Sequence, residues 1–136
     1  MAGGTVPMPT PETEPFWAGT LAGELRVQQC ESCGRHYFYP RPFCRYCQSR
    51  NVTWRTVSGT GRLVSYVINY RPLPPADPAE PQVIALVELD EGPLISSTLV
   101  GDRMPRDVYD VGQRVEIAYE DHPREGFTLP RFRIID

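Results

Sequence analysis

Lysine is missing from this chain of 136 residues, and all 14 basic side chains are arginine. No Schiff-base lysine, Walker-type phosphate lysine or lysine general base is therefore available. Histidine is scarce: His36 lies in a cysteine-bearing segment and His122 precedes Pro123 in a loop. Neither stands in a nucleophile motif, and no G-x-S-x-G or paired-carboxylate signature occurs, so no catalytic residue is assigned. Glu88, Asp90 and Glu91 gather at a strand end, where a solvated turn explains them better than chemistry does. Long apolar runs are absent as well. Nothing approaches the roughly 20 residues of a membrane span, and the opening "MAGGTVPMPTPETEPFW" has neither the basic start nor the apolar stretch of a signal peptide. The expectation is a soluble, cytoplasmic protein with no membrane partner. The formal net charge is only -3, which gives no global attraction to nucleic acid or anionic lipid.

What the chain does have is four cysteines, all within "CESCGRHYFYPRPFCRYC", residues 30 to 47. They form two Cys-x-x-Cys pairs ten residues apart, Cys30 with Cys33 and Cys44 with Cys47. In a reducing compartment such pairs bind metal more often than they form disulfides. Two intervening residues allow one tight turn to aim both sulfurs at a single ion, and four thiolates complete a tetrahedral zinc shell. Gly34 supports the first turn, because glycine takes positive φ without strain. A thioredoxin-like redox site needs one pair at a helix start in a βαβ pattern, and neither pair has that context. Iron is the alternative metal, since four-sulfur tetrahedral sites accept either ion. A closed shell leaves no position for water or substrate, so the cofactor expected is structural Zn2+. With four cysteines present, His36 reads as a surface or packing residue.

Punctuation divides the chain into three parts. Residues 1–12, rich in Gly, Pro and Thr, are expected to be disordered. Residues 13–57 should hold a short helix and the ribbon: Thr13 caps a helix carrying Phe16, Trp17 and Leu21, and Gly23 stops it. Those three side chains read either as core or as a partner-binding face. "ELRVQQC" and "VTWRTV" alternate like strands entering and leaving the metal turns. From residue 58 to 136 the pattern becomes long strands: "RLVSYVINY", with Val64, Tyr66, Ile68 and Tyr70 on one face, then "QVIALVELD", "LISSTLV", "RVEIAYE" and "RFRIID". A Pro-rich loop at 71–81 separates the first two. Five antiparallel strands suggest a small closed barrel of the OB type, with an open sheet or sandwich fragment as the alternative. The fold class is thus mostly β, with a short N-terminal helix, a zinc ribbon and a five-stranded OB-type barrel.

Four runs taken in order carry a resemblance that spans nearly the whole chain. They are "CESCGRHYFYPRPFCRYC", "GTGRLVSYVINYRP", "PQVIALVELDEGPLISSTLVG" and "VGQRVEIAYEDHPREGFTLPRFRI". Together with the opening "PFW" they resemble the acyl-CoA-associated zinc-ribbon/OB-fold family. That resemblance implies a rubredoxin-like zinc ribbon and an OB barrel acting with thiolase-superfamily enzymes. Some members partner a thiolase-like aldolase in bacterial steroid side-chain degradation; others bridge a thiolase and an HMG-CoA synthase. All four cysteines match the family's metal positions.

The expected role is a subunit with no activity of its own, held in a hetero-oligomer with a thiolase or thiolase-like aldolase that acts on acyl-CoA. Contact with coenzyme A needs cationic donors, for which arginine's planar fork is suited. Arg35, Arg41 and Arg45 in the ribbon, and Arg62, Arg114, Arg131 and Arg133 on barrel strands, are the available set; Arg35, Arg41, Arg45 and Arg131 are the ones favoured for acyl-CoA. Solvated surface positions are the plain alternative for each. Single-stranded nucleic-acid binding is the rival function, with Tyr66 and Tyr70 as a stacking platform. The acidic net charge, and the better fit of both tyrosines to a barrel core, weigh against it.

Overall fold

The computed structural model describes residues 7–73, 77, 79–101 and 109–135. Among these residues one helix, α1 (Glu14–Leu21), precedes eight strands: β1 (Leu25–Cys30), β2 (His36–Tyr37), β3 (Val52–Val57), β4 (Thr60–Asn69), β5 (Gln82–Leu89), β6 (Leu94–Leu99), β7 (Arg114–His122) and β8 (Phe127–Ile134). The first three strands form an antiparallel sheet in the order β2-β1-β3, and the other five close a barrel in the order β4-β5-β6-β8-β7. Closure makes a correction necessary. Four barrel pairings are antiparallel as expected, but β6 and β8 run parallel, with Leu99 opposite Phe132. A five-stranded barrel whose neighbours are hairpins has an odd number of strands, so one seam must join strands of the same direction.

Helix α1 starts with Pro15 in its first turn, where the missing N–H costs nothing. Thr13 occupies the cap position but does not cap with its side chain. Its Oγ1 instead accepts the Thr10 N–H at 2.8 Å, while the Thr10 carbonyl accepts the Thr13 and Glu14 N–H groups. Of the stretch 1–12 expected to be disordered, Thr10 is thus tied to the start of the helix, and residues 1–6 lie outside the described residues. Gly23 ends the helix as expected. At φ 79° it lets its own N–H reach the Thr20 carbonyl and lets Glu24 N–H reach Gly19, which satisfies two of the helix's last carbonyls.

A second correction concerns β4. Strict alternation put Val64 in line with Tyr66, Ile68 and Tyr70, but the register to β5 slips between Leu63 and Ser65. That bulge makes Leu63 fully buried, keeps Tyr66 and Ile68 packed on the core, and leaves Tyr70 exposed beyond the strand end. The core itself is continuous across modules. Phe16 from α1, Leu25, Val27 and Val57 from the ribbon base, and Leu63, Val83, Val87, Leu89, Val115 and Phe132 from the barrel form one buried cluster. A second, smaller cluster holds only Cys30, Tyr37 and Cys44, with Val52 against it.

Candidate metal centre and the surfaces around it

Two turns of the same construction carry the cysteines. In the first, Gly34 N–H donates to the Cys30 carbonyl at 2.8 Å and Cys30 N–H to the Arg35 carbonyl; in the second, Gln48 N–H donates to the Cys44 carbonyl at 2.9 Å and Cys44 N–H to Ser49. Amides also point at the sulfurs, Cys33 N–H at Cys30 Sγ (3.4 Å) and Tyr46 N–H at Cys44 Sγ (3.3 Å). The second turn uses Gln48 at φ 65° where the first uses Gly34, so only the glycine was visible as a signal. Ser32 and Ser49 hydroxyls join the two turns at 2.8 Å, and Glu31 N–H reaches the Asn51 carbonyl.

All four sulfurs lie within 4.8 Å of one another, Cys30 to Cys47 at 3.5 Å and Cys33 to Cys44 at 3.7 Å, and none is in a disulfide. A tetrahedron with metal–sulfur bonds of about 2.3 Å places its sulfurs roughly 3.8 Å apart, so the set fits one ion. Electrostatics point the same way. The Cys33 amide holds Cys30 down to about 6 against the burial that would raise it. Burial also works to raise Cys44, but the Cys47 and Tyr46 amides outweigh it and hold that thiol low. The Ser49 amide favours the Cys47 thiolate, yet the neighbouring sulfurs push it up to about 11. Four thiols at this spacing cannot all ionise unless a cation sits between them. The cluster can hold a metal ion, with Cys30 and Cys44 buried and Cys33 and Cys47 at its exposed edge.

Around it, Tyr37 is buried, with its hydroxyl pushed up to about 12 by burial and by the Cys44 and Cys30 charges; it donates to the Arg41 carbonyl at 3.3 Å. Arg35 and Arg45 lie over the Tyr46 ring, at 4.7 and 5.4 Å from its centre. Arg131 stands elsewhere, on β8, where it donates to Thr98 Oγ1 at 3.1 Å and lies 3.6 Å from Glu120. Those partners are barrel residues, so the four arginines favoured for acyl-CoA are not brought together as one site. Arg62, Arg114 and Arg133 are ion-paired to Glu88, Asp90 and Glu116. Glu91 accepts the Ser58 N–H, so the acidic hairpin end ties down the start of β4.

The helix residues separate. Phe16 is buried at 5% exposure, edge-on to Trp17 at 5.0 Å and against Phe38 at 5.3 Å, which removes it from any partner face. Trp17 is half-buried, and Leu21 is 60% exposed. Tyr66 packs edge-on to Tyr109 and accepts its N–H, so it is no stacking platform. His122 stacks on Phe127 and bonds Glu120 at 2.7 Å. The outer face of β5 and β6, where OB barrels bind oligonucleotides, carries Ile84, Leu86, Ser96 and Thr98, with no aromatic. Among the described residues no helix is long and apolar enough to cross a membrane.

The model of the ChsH2 rubredoxin-like zinc ribbon domain matches residues 17–53, and that of the ChsH2 C-terminal OB-fold domain matches residues 54–120. The chain belongs to the ChsH2 zinc-ribbon/OB-fold family. The family models divide inside β3, just before the boundary at 57/58 expected from punctuation. A chain of the solved "Ltp2-ChsH2(DUF35) aldolase" superposes with a TM-score of 0.82 at 30% identity, covering 95% of this chain and 98% of that one. The probable enoyl-CoA hydratase alpha subunit of Thermomonospora curvata is 37% identical over 121 residues, 87% of this chain and 36% of that protein. The 3-oxo-4,17-pregnadiene-20-carboxyl-CoA hydratase alpha subunit of Mycobacterium tuberculosis is 34% identical over 118 residues, 86% of this chain and 36% of that protein. The chain thus spans about a third of the length of these hydratase subunits.

Proposed function

We propose that this ChsH2-type chain is a subunit with no catalytic residues of its own, stapled by a structural zinc ion, that completes a thiolase-superfamily enzyme acting on an acyl-CoA. The favoured reaction is retro-aldol cleavage of a steroid side-chain CoA thioester. The likeness to a ChsH2 chain of an aldolase, over nearly the full length of both, carries this reading. The steroid thioester in the name of the mycobacterial relative supports the pathway. Hydratase chemistry is not transferred, because two thirds of each hydratase subunit has no counterpart in these residues.

The site chemistry agrees with an accessory role. A four-sulfur shell offers no open coordination position for substrate. The histidine–carboxylate pair of the described residues, His122 with Glu120, has no nucleophile among its partners. Catalytic acid and base would then come from the other subunit, while this chain orders the entrance to its active site. Leu21 and the half-buried Trp17 are candidate contacts, and Arg35, Arg41, Arg45 and Arg131 remain candidates near acyl-CoA.

Affinity purification from the source cell, with zinc analysis and identification of stoichiometric partners, tests the reading. A thiolase-like subunit retained at fixed ratio, whose carbon–carbon cleavage depends on this chain, is the expected result. Isolation of the chain alone, or unaided turnover of an acyl-CoA, would refute it.

A further inference from the structure

Residues 32–76 contain seven arginines and no aspartate or glutamate, a polarity that the net charge of -3 conceals. Arg55 and Arg62 in this stretch are ion-paired to Glu31 and Glu88. The exposed Arg41 guanidinium has no partner among the described residues, yet both its backbone N–H and its carbonyl are hydrogen-bonded. Gln28, only 6% exposed, accepts the Arg41 N–H at Oε1 (2.6 Å) and donates Nε2 to the Arg41 carbonyl (2.8 Å). The Tyr37 hydroxyl donates to the same carbonyl. Pro40 and Pro42 flank the residue and fix the chain on either side. Next to them stand Tyr39, 58% exposed, and Phe43, 36% exposed.

Burying a primary amide is costly unless its donors and acceptors are met. Here a buried glutamine meets them by clamping one surface residue, so the tip from Tyr39 to Phe43 is rigid while its cation has no partner among the described residues. Pre-organisation of that kind lowers the ordering cost of binding, and tyrosine, phenylalanine and arginine are the residue types enriched in interface cores. We propose that this tip docks on an acidic surface of the partner subunit, with Arg41 placing its guanidinium fork on a carboxylate there. The proposal rests on the accessory-subunit reading. A nucleotide is the less favoured occupant, because Arg35 and Arg45, the cations that would have to meet further phosphates, already lie over the Tyr46 ring.

The test titrates the thiolase-like subunit recovered from the source cell against the wild-type chain, Arg41→Glu, Arg41→Gln, and Arg124→Glu as a control in the β7–β8 turn. Zinc content and Tm are recorded for each. Arg41→Glu is expected to weaken binding at least about tenfold, Arg41→Gln to do so less, and Arg124→Glu to leave it unchanged. Should the glutamate variant lose zinc, the glutamine variant decides. Binding equal to wild type by a zinc-loaded Arg41 variant overturns the docking surface and leaves the accessory reading standing, as does an effect confined to acyl-CoA affinity of the isolated chain. Failure of the wild-type chain to bind the subunit overturns both.

Discussion

Removing the metal is expected to unfold the outer half of the ribbon and leave its inner half and the barrel in place. The outer half, from Cys30 to Val52, has a small core of its own beyond its sulfurs: Tyr37 is 1% exposed and Val52 packs beside it. Burial of those two is worth about 4 kcal/mol together, whereas a structural zinc site contributes on the order of 10 kcal/mol. The inner half is different, since Leu25, Val27 and Val57 are part of the barrel's own core. Hydrogen exchange with and without chelator separates the two halves. Amides of Gly34, Cys44 and Gln48, which close the metal turns, should lose protection by about a hundredfold or more. Those of Leu63, Leu89 and Ile117, bonded within the barrel, should keep theirs. Acid should act like chelator, because the thiolates must give up metal to take up protons. Protected turn amides in metal-free protein would show that burial alone holds the ribbon. Simultaneous loss in the barrel would show that the shared core does not make the inner half independent of the metal.

Phe16→Ala should cost about 3–5 kcal/mol in denaturant unfolding, as a large side chain removed from a shared core; a loss under about 1 kcal/mol would mean that α1 is peripheral. Gly61→Ala should destabilise by several kcal/mol, since its new methyl would fall on the Glu88 carbonyl oxygen and within 3.0 Å of Leu89 Cα, backbone that β5 cannot move; an unchanged Tm refutes the close approach of β4 and β5. Asp90 is held at about 2 by hydrogen bonds from Arg114 and Thr60, below its ordinary 3.8, so its contribution is present above about pH 4 and lost as pH falls toward 2. With both ion-pair partners over 40% exposed, that contribution is about 1 kcal/mol or less. Asp90→Asn should lower stability at neutral pH by that amount and flatten the acid limb between pH 4 and 2; an unchanged limb would assign it to other carboxylates.

Features set by neighbours in the chain were legible in the sequence, and those set by distant ones were not. Cysteine spacing reports metal geometry because each turn is built within four residues, and Gly23 reports a helix end for the same reason. Phe16 could be core or partner face from its own segment, because its actual neighbours, Phe38 and the barrel cluster, are brought there by the fold. The slip at Val64 carries no marker, since valine suits a regular strand as well as a bulge. Thr13 shows local competition instead, with Thr10 taking the hydroxyl that the helix would have used. Summing charge over 136 residues hid the acid-free stretch around Arg41, and the Gln28 clamp lies thirteen positions from the residue it holds.

Strand β1 is where these parts meet. Within six residues it sends Leu25 and Val27 into the barrel core, Gln28 onto the Arg41 backbone, and Cys30 to the metal. Its neighbour β2 contributes Tyr37, opposite Gln28 in register, whose hydroxyl reaches that same Arg41 carbonyl while its ring fills the small core beside Cys30 and Cys44. A change at the metal therefore reaches the tip through two rigid links, a buried ring and a buried amide, without passing through the barrel. On the proposed reading, a structural metal in this site would have a function beyond stability in the abstract. It would hold Arg41, which has no side-chain partner among the described residues, at a fixed place on the surface, which an apolar core of three residues would be too small to do.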